Sequence, residues 1–311
     1  MKQWKNSAML LAAAFIWGCA FVAQSVGMDY VSPFVFNGIR SVLGAIVLLP
    51  VIRLMDHLHE KNGESQAPKT KAQKKQTWLI GIGCGILLCV ASNLQQYGIL
   101  YTSVGKAGFL TTIYVVLVPV FSVFAGKRPR FKMWISVLLA LAGLYLLCMQ
   151  PGSYSLEPGD IILLMSAAAF TFHILYIDRF GGLIDGVRMS AIQFLTCGIL
   201  TLAAALIVGD SFAPGQIMAA WLPILYAGVM SCGGAYTLQI LGQRDCSPVL
   251  ATLLLSLESV FSVLAGWVIL GERLSARELG GCAIVFAAVL LAELPILEGK
   301  NVKEQGREKE A

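Results

Sequence analysis

The sequence predicts an all-α integral membrane protein with ten transmembrane helices arranged as two inverted five-helix repeats. Three observations predict it: a very apolar composition, ten long apolar runs, and a phrase that occurs twice. Hydrophobic residues make up 57% of the 311 residues and charged residues 13%, whereas an ordinary soluble domain has about 45–50% and about 25%. A single buried core cannot hold so much apolar surface, so a lipid environment is expected.

Ten apolar runs divide the chain, and each is a candidate for a spanning helix, which needs about 20 mostly apolar residues. The last run is the weakest, because only 14 uncharged residues separate Glu278 from Glu293. These two carboxylates can reach the headgroup level, so the run is retained as a span. The runs cover residues 7–27, 31–52, 77–97, 104–126, 133–150, 159–177, 189–208, 219–241, 248–270 and 276–293.

The distribution of lysine and arginine predicts the orientation. With the N-terminus in the cytoplasm, 19 of the 23 basic residues fall on cytoplasmic segments, three fall on outer segments, and Arg40 lies inside a helix. Because basic residues concentrate on the cytoplasmic side, we expect a multi-pass protein of the cell membrane with both termini in the cytoplasm. The polar, basic loop 56–76 and the charged tail 299–311 are then solvated cytoplasmic segments, and their composition favours disorder.

A seven-residue phrase occurs twice. Residues 120–126 read VFSVFAG and residues 260–266 read VFSVLAG, so six of the seven letters agree. A shorter match is the dipeptide Leu-Gln followed by a glycine three residues after the glutamine. It occurs once with Gln95 and Gly98 and once with Gln239 and Gly242. These matches indicate two diverged copies of one unit.

The two copies are a first repeat at 1–150 and a second repeat at 158–295, each with five predicted helices. Since five is an odd number, the second repeat must enter the membrane in the opposite sense to the first. Inverted repeats of this kind recur in secondary transporters, where related halves can expose one site to either side. The alternative is a duplication that merely builds a stable bundle.

Two long stretches, 99–147 and 248–294, are similar to the EamA-type repeat of the drug/metabolite transporter superfamily. The fragment WGCAF at 17–21 and Arg40 in the second helix also resemble that family's pattern. The resemblance implies ten helices with both termini in the cytoplasm and a central cavity between the halves. It also implies export of small metabolites.

The chain departs from that family's usual pattern at two positions. Lys127 stands in GKRP, where the family often writes GERP, so an acidic residue is missing at that helix end. Ser259 follows Glu258 where the family commonly has proline, so the ninth helix is expected to bend less there. Neither departure removes the expected fold. Both leave the substrate open, because the family spans many unrelated metabolites.

Two charged residues lie deep inside predicted helices, where charge is costly and usually functional. Arg40 is about 14 Å from the outer end of helix 2, and Glu258 is about 15 Å from the inner end of helix 9. We expect both to line a cavity and bind substrate, either paired or each facing one end of a zwitterion. The alternative is a buried ion pair that only braces helices. Burial favours the neutral form of Glu258 and Arg40 favours its charged form, so proton coupling is a hypothesis.

Aromatic and amide side chains form a second group of substrate-binding candidates. Their hydroxyl and amide groups can hydrogen-bond a solute, and the tyrosines also present a ring face. Trp17, near the middle of helix 1, either forms a stacking wall for the ligand or packs between helices. The other members of the group are Gln95, Tyr97, Tyr114 and Tyr236.

Three further residues are candidates for gating or for positioning the binding groups. Asn37 lies almost one helical turn from Arg40 and can orient it. Pro119 frees a backbone carbonyl and can bend helix 4 beside the cavity. His173 in helix 6 lies closer to the cytoplasmic side, where a helix–helix hydrogen bond is the alternative to a gate.

No cofactor or metal is expected. Seven of the eight cysteines lie in apolar runs and none forms a CxxC pair, so they are interpreted as packing residues. His57 and His59 lack a third ligand for a metal site. No GxxxxGKS or GxxxxGKT motif occurs, which argues against an ATP-driven pump.

The function that follows is a secondary transporter that exports a small metabolite, such as an amino acid or a related amphiphilic solute. A passive channel or facilitator stays open as an alternative, and so does a membrane enzyme, which the scattered outer carboxylates disfavour. The expected partners are the solute and the lipid bilayer, not nucleic acid, because the basic residues lie between apolar runs. A chain with both repeats can form the cavity alone, as a monomer or within a homodimer.

Overall fold

The structure is a computed structural model of one chain. It describes residues 2–61, 70–101, 104–124, 126–127, 129–149, 157–244, 246–270 and 275–293. These residues form helices and contain no β-strand, which confirms the predicted all-α fold. The predicted tail at 299–311 and the middle of the polar loop lie outside the described residues.

The described residues form ten long helical segments that follow the ten predicted runs in order. Seven are single helices: α1 is Lys2–Met28, α2 is Pro33–Lys61, α3 is Lys71–Ile99, α5 is Phe131–Cys148, α6 is Pro158–Phe180, α7 is Gly186–Val208 and α10 is Ala276–Glu293. Three are composite: α4 is Val104–Thr112 and Tyr114–Phe124, α8 is Trp221–Tyr226, the π-helix Ala227–Ala235 and Tyr236–Gln243, and α9 is Pro248–Leu255, Leu257–Ala265 and the π-helix Gly266–Leu270. A short helix, Pro214–Ala219, connects α7 to α8.

Eight of these segments, α1–α4 and α6–α9, are long and apolar enough to cross a membrane. The apolar part of α5, Phe131–Leu147, is a shorter helix. α10 is 18 residues long and carries Arg277 and Glu278 in its first turn and Glu293 at its end. The predicted membrane fold is therefore confirmed, whereas the count of ten crossings stays a prediction.

The outer surface of the helical bundle is apolar. Large side chains such as Ile207, Phe124 and Phe131 are 86%, 84% and 80% exposed. Soluble monomers rarely expose contiguous apolar patches beyond a few hundred Å². In a bilayer the same side chains contact lipid tails, so this surface is the one expected of a membrane protein.

The polar loop is shorter than its composition suggested. α2 continues to Lys61, and α3 begins at Lys71. At that start Thr70 and Gln73 form a capping box, with Gln73 N donating to Thr70 Oγ1 at 3.2 Å and Thr70 N donating to Gln73 Oε1 at 2.9 Å. A capping box satisfies two N–H groups that a helix end leaves free. The expectation of disorder throughout 56–76 is therefore wrong at both ends of that loop.

α4 and α9 are each interrupted once, at Ile113 and at Ser256. The interruption of α9 lies three residues before Ser259, and the expectation that the helix bends less at Ser259 than with a proline there stays a prediction. Ser256 Oγ donates to the Leu253 carbonyl at 2.7 Å. A serine that bonds back to its own helix competes with the backbone ladder and bends the helix, which gives a physical reason for the interruption without proline.

Corresponding helices of the two repeats run antiparallel. In the pair α5–α10, a Cβ added at Gly281 would lie 2.7 Å from Leu147 N, and one added at Gly143 would lie 2.9 Å from Val285 N. Gly281 thus lies next to Leu147 and Val285 next to Gly143, so the residue numbers rise along one helix as they fall along the other. The pair α2–α7 is antiparallel in the same way. The two repeats are therefore inverted relative to each other.

Packing between the repeats follows a two-fold pattern. α1 packs against α8 and α9, and its counterpart α6 packs against α3 and α4. The close approach of Gly98 to Leu163, between α3 and α6, recurs as that of Gly242 to Leu10, between α8 and α1. Each repeat thus packs mainly against the other one, and the centre of the molecule is built by both.

Candidate functional site

A cavity lies at the centre of the bundle, between helices of both repeats. Its volume is about 40 Å³, which is room for about three water molecules. Both charged residues predicted from the sequence line it. The lining consists of Trp17, Phe21, Gln24, Arg40, Gln95, Thr111, Tyr114, Phe170, Ile174, Ser231, Tyr236, Gln239, Leu255 and Glu258.

Arg40, on α2, supplies the positive charge of the cavity and is only 5% exposed. Its Nε donates to Asn37 Oδ1 at 2.9 Å, and its guanidinium carbon lies 5.6 Å from the centre of the Phe36 ring. Asn37 Nδ2 in turn donates to Ser92 Oγ and to Asn93 Oδ1 on α3, at 3.0 and 2.7 Å. The position of Asn37 agrees with its predicted orienting role.

Glu258, on α9, supplies a carboxyl group that is also 5% exposed. Tyr114, on α4, donates its hydroxyl to Glu258 Oε1 at 2.9 Å. Beside this bond, the hydroxyls of Thr112 and Ser259 lie 2.9 Å apart. α4 and α9 therefore cross next to their interruptions, and the polar contacts at the crossing hold the carboxyl group at the cavity wall.

Arg40 and Glu258 share the cavity without forming an ion pair. Within the described part of the chain, no carboxylate oxygen lies within 4.0 Å of the Arg40 nitrogens, and the guanidinium hydrogen-bonds through Nε alone. The paired arrangement considered for these two residues is thus absent. A cation and a carboxyl group instead line one small space, and each has hydrogen-bonding capacity that the protein leaves unused.

Aromatic rings form one wall of the cavity. The Trp17 and Tyr236 rings meet edge to face with centroids 4.6 Å apart, and the Phe194 ring also packs against Tyr236, with centroids 5.1 Å apart. Trp17 Nε1 is buried and has no hydrogen-bond partner. Trp17 therefore both packs between helices and lines the cavity, so the two alternatives for this residue are compatible.

Three glutamine side chains also line the cavity. Gln95 Nε2 donates to Thr111 Oγ1 at a long 3.5 Å. Gln24 and Gln239 are 5% and 2% exposed, and the Oε1 atom of each is buried without a hydrogen-bond partner. An unpartnered buried amide is costly, so both side chains have capacity to bind a polar solute.

Six of the fourteen lining residues form three pairs related by the repeat. Gln95 and Gln239 are 144 positions apart, as are Gly98 and Gly242 next to them. The spacing of 153 positions that relates Leu10 to Leu163 also relates two pairs of lining residues across α1 and α6, namely Trp17 with Phe170 and Phe21 with Ile174. The cavity therefore lies on the axis that relates the two repeats.

Two sequence candidates lie away from the cavity lining. Tyr97 stacks against Phe34 and Tyr101, with centroids 5.6 and 6.1 Å away. Its predicted role in contacting substrate is not supported by this position. Pro119 is buried within α4 and is not part of the lining either.

His173 lies one layer behind the cavity. It is fully buried, its Nε2 is 3.1 Å from Gln193 Oε1, and its ring is 6.1 Å from that of Tyr236. Its Nδ1 has no hydrogen-bond partner. The bond to Gln193 joins α6 to α7, which is the helix–helix alternative considered for this histidine.

Sequence reasoning missed several lining residues, chiefly Phe21, Gln24, Ser231 and Gln239. A signal for Gln239 existed, because it is the repeat partner of Gln95. Ser231 lies in the π-helix of α8, where the wider turn changes which side chains face inward. No sequence pattern gives that change. Across the described residues no group of three or more His, Cys, Asp and Glu side chains could hold a metal ion.

Comparison with known proteins identifies the family. Residues 4–149 and 157–294 each match the model of the EamA-like transporter family. An uncharacterized transporter of Archaeoglobus fulgidus is 27% identical over 288 residues, covering 92% of this chain and 85% of the relative. The uncharacterized inner membrane transporter YedA of Escherichia coli K12 is 26% identical over 284 residues, covering 91% and 89%.

Further relatives agree. The uncharacterized transporter YvbV of Bacillus subtilis strain 168 is 25% identical over 301 residues, covering 94% of this chain and 93% of the relative. A crystal structure of another protein superposes with a TM-score of 0.74 over 93% of this chain and 96% of that chain, at 19% identity, and has the same fold. The chain therefore belongs to the EamA-like transporter family, as its two long repeat-like stretches indicated, and it is a membrane protein.

Proposed function

We propose that this protein is a secondary transporter that carries a small zwitterion of the amino acid type across the cell membrane by alternating access. The observation that carries the proposal is a central cavity lined by a buried carboxyl group and by a buried guanidinium that has no ion-pair partner among the described residues. The proposed direction is export, from a protein with both termini in the cytoplasm. The distribution of basic residues supports the orientation, and the family resemblance supports the direction.

The Arg40 end of the cavity supports binding of a carboxylate. A buried charge without a partner is costly, because taking an ion out of water is repaid only by good electrostatic contacts. Asn37 fixes the guanidinium through Nε, which leaves the terminal Nη atoms for a ligand. A carboxylate fits two parallel N–H groups of arginine in bidentate geometry. Binding a solute carboxylate would therefore compensate a charge that the protein leaves uncompensated.

The Glu258 end supports binding of an ammonium or another hydrogen-bond donor. Tyr114 occupies Oε1, so Oε2 is the oxygen that a solute can use. The buried Oε1 atoms of Gln24 and Gln239 add two acceptors to the same lining. The Trp17, Phe21 and Phe170 side chains give the rest of the wall an apolar character. This combination fits a zwitterionic head with a modest apolar body.

Alternating access is supported by the inverted repeats and by the size of the cavity. Two related halves that exchange conformations produce a second state that is open to the other face. A volume of about 40 Å³ is too small for a metabolite, so solute binding must enlarge the cavity by moving the surrounding helices. Such a movement is a step that a carrier requires and a static pore does not.

The test is uptake by proteoliposomes containing the purified protein, with labelled amino acids and related zwitterions screened in competition. We expect saturable uptake that requires both a carboxylate and an amino group in the solute. Arg40→Ala and Glu258→Ala should insert normally and lose uptake. Arg53→Ala is the matched control, because Arg53 is an exposed arginine on the same helix. Full activity in both cavity variants would refute the assigned site.

A further inference from the structure

Two side-chain contacts join the ends of α2 and α7, one at each end of the pair. At the end where α2 stops and α7 begins, Arg188 Nη2 donates to both carboxylate oxygens of Asp56, at 2.6 and 2.6 Å. At the other end, Ser32 Oγ donates to Asp210 Oδ2 at 2.6 Å. α2 belongs to the first repeat and α7 to the second, so both contacts fasten one repeat to the other.

The two contacts are related by the same two-fold pattern as the repeats. Ser32 precedes α2, and Arg188 lies in the first turn of α7. Asp56 lies near the end of α2, and Asp210 lies just after α7. Ser32 and Arg188 are 156 positions apart, and Asp56 and Asp210 are 154 positions apart. Each contact is thus the counterpart of the other on the opposite membrane face, with serine in place of arginine.

Between the two contacts, α2 and α7 cross closely. A Cβ added at Gly198 would lie 3.0 Å from Val42 N and 2.7 Å from Val42 Cγ2. Ser32 lies ten residues before Val42, and Arg188 lies ten residues before Gly198. The close crossing is therefore near the middle of the pair, with one contact on either side of it. Buried apolar side chains continue the packing on both sides of this approach, Leu48 with Val187 and Ala191 on one side and Val35, Phe36 and Ala205 in one cluster on the other. Because the two helices pack along their length, a movement at one end of the pair is transmitted to the other end.

We propose that α2 and α7 form a coupled pair whose two end contacts act as latches, Asp56–Arg188 on one membrane face and Ser32–Asp210 on the other. Opening either face of the cavity requires its own latch to break while the other holds. Positive charge assigns the Asp56–Arg188 latch to the cytoplasmic face, where Lys127 and Asp178 form a second ion pair between the repeats. The proposal rests on the proposed transport function, because it names the elements that govern access to that site.

The two latches differ in chemistry. The cytoplasmic latch is an ion pair whose Arg188 and Asp56 side chains are 29% and 45% exposed, and because solvent screens such a pair its net contribution to stability is small. The outer latch is a single hydrogen bond from a neutral hydroxyl to a carboxylate, which is also charge-assisted. Both contacts are weak enough to break and re-form, as alternating access requires.

Hydrogen exchange followed by mass spectrometry tests the proposal in the full chain without any knowledge of the solute. Asp56→Asn weakens the cytoplasmic latch and should raise amide exchange several-fold around 53–57 and 184–190. The same substitution should lower exchange around 30–34 and 209–213, about 36 Å away along α2. Asp210→Asn should produce the converse pattern, and it leaves intact the bond from Val35 N to Ser32 Oγ that caps α2.

The reciprocal change at the far face distinguishes a latch from an ordinary surface contact. Fraying of a helix end raises exchange locally and does nothing at the other face, and that outcome would overturn the proposal. The exchanged pair Asp56→Arg with Arg188→Asp should restore the original pattern, whereas the control Arg53→Ala should leave it unchanged. Absence of solute uptake would defeat the transport proposal and leave this result unaffected, so the two failures can be told apart.

Discussion

The two repeats are alike as scaffolds and unlike as contributors to the cavity. α2 supplies a cation, Arg40, whereas its counterpart α7 carries no charged residue from 189 to 208. α9 supplies a carboxyl group, Glu258, whereas its counterpart α4 carries no charged residue from 107 to 124. The repeat-related helices therefore form the cavity, and its two charged groups come from positions where the repeats differ. The first repeat contributes a guanidinium to the cavity, and the second contributes a carboxyl group.

The sharpest way to break this comparison is to remove one charge at a time. Truncating one partner of a buried, hydrogen-bonded charge pair costs about 2–5 kcal/mol, so Arg40→Gln and Glu258→Gln should each reduce affinity for a zwitterion at least about 30-fold. Arg40→Gln should spare binding of an analogue without a carboxylate, and Glu258→Gln should spare one without an amino group.

Competition binding with both analogues measures this division of labour. Arg53→Gln serves as the control for charge removal on α2. If Arg40→Gln and Glu258→Gln each reduce the affinity for both analogues equally, the two repeats do not bind separate ends of the solute.

A second way to test the comparison separates the scaffold from the cavity. Gly281→Ala forces a Cβ to within 2.7 Å of Gly143 O and Leu147 N at the α5–α10 crossing. Overpacking of this kind costs about 1–3 kcal/mol, so thermal stability in detergent should fall. Gly280→Ala is the matched control, because a Cβ there meets nothing within 4 Å.

Solute selectivity is the second property to be measured in the two glycine variants. The Gly281→Ala protein that still folds should keep the selectivity of the parent, because α5 and α10 contribute no lining residue. A changed selectivity with unchanged stability would show that these helices do more than hold the scaffold together.

A smaller effect is expected where the repeats meet at Glu258. Tyr114→Phe removes the hydroxyl that donates to Glu258 Oε1 at 2.9 Å and leaves the ring in place. This bond is made whether or not solute is bound, so its loss acts only through the position of the Glu258 carboxyl group, and solute affinity should fall less than in Glu258→Gln. Tyr97→Phe is the control, because Tyr97 lies outside the lining. Equal affinities for the two variants would remove Tyr114 from the site.

The smallest effect is expected for the repeat-related glutamines. Gln95→Ala and Gln239→Ala each remove one neutral amide, whose hydrogen bond is worth about 0.5–1.5 kcal/mol. Affinity should fall about two- to tenfold in each case. The comparison of the two variants, measured by the same binding assay, shows whether the solute lies centrally or against one repeat. Unchanged affinity in both would mean that the amides contact water only.

The sequence was sufficient for the features that depend on composition and periodicity. The apolar runs predicted the helices, the repeated phrase predicted the two inverted halves, and the intramembrane charges Arg40 and Glu258 predicted the cavity. These signals work because charge inside lipid is rare and because an odd number of helices fixes the sense of the second repeat.

The rest of the site depended on which face of each helix turns inward. Tyr97 and Gln95 are two residues apart on α3, yet only Gln95 lines the cavity. A helix that is apolar on all sides gives no periodic signal for that choice. The interruption of α9 at Ser256 was also hidden, because no proline or glycine marks it in the sequence. Ser231 was missed for the same kind of reason, since a π-helix shifts the helical register.

Alternating access predicts that one central site, shared by the two repeats, is exposed to each face in turn. Counterflow in proteoliposomes tests it most directly. Vesicles loaded with unlabelled solute should take up labelled solute faster than empty vesicles, with saturation, and Arg40→Ala and Glu258→Ala should abolish the acceleration. Uptake that rises linearly with concentration and ignores the solute inside would contradict the claim and identify a passive channel.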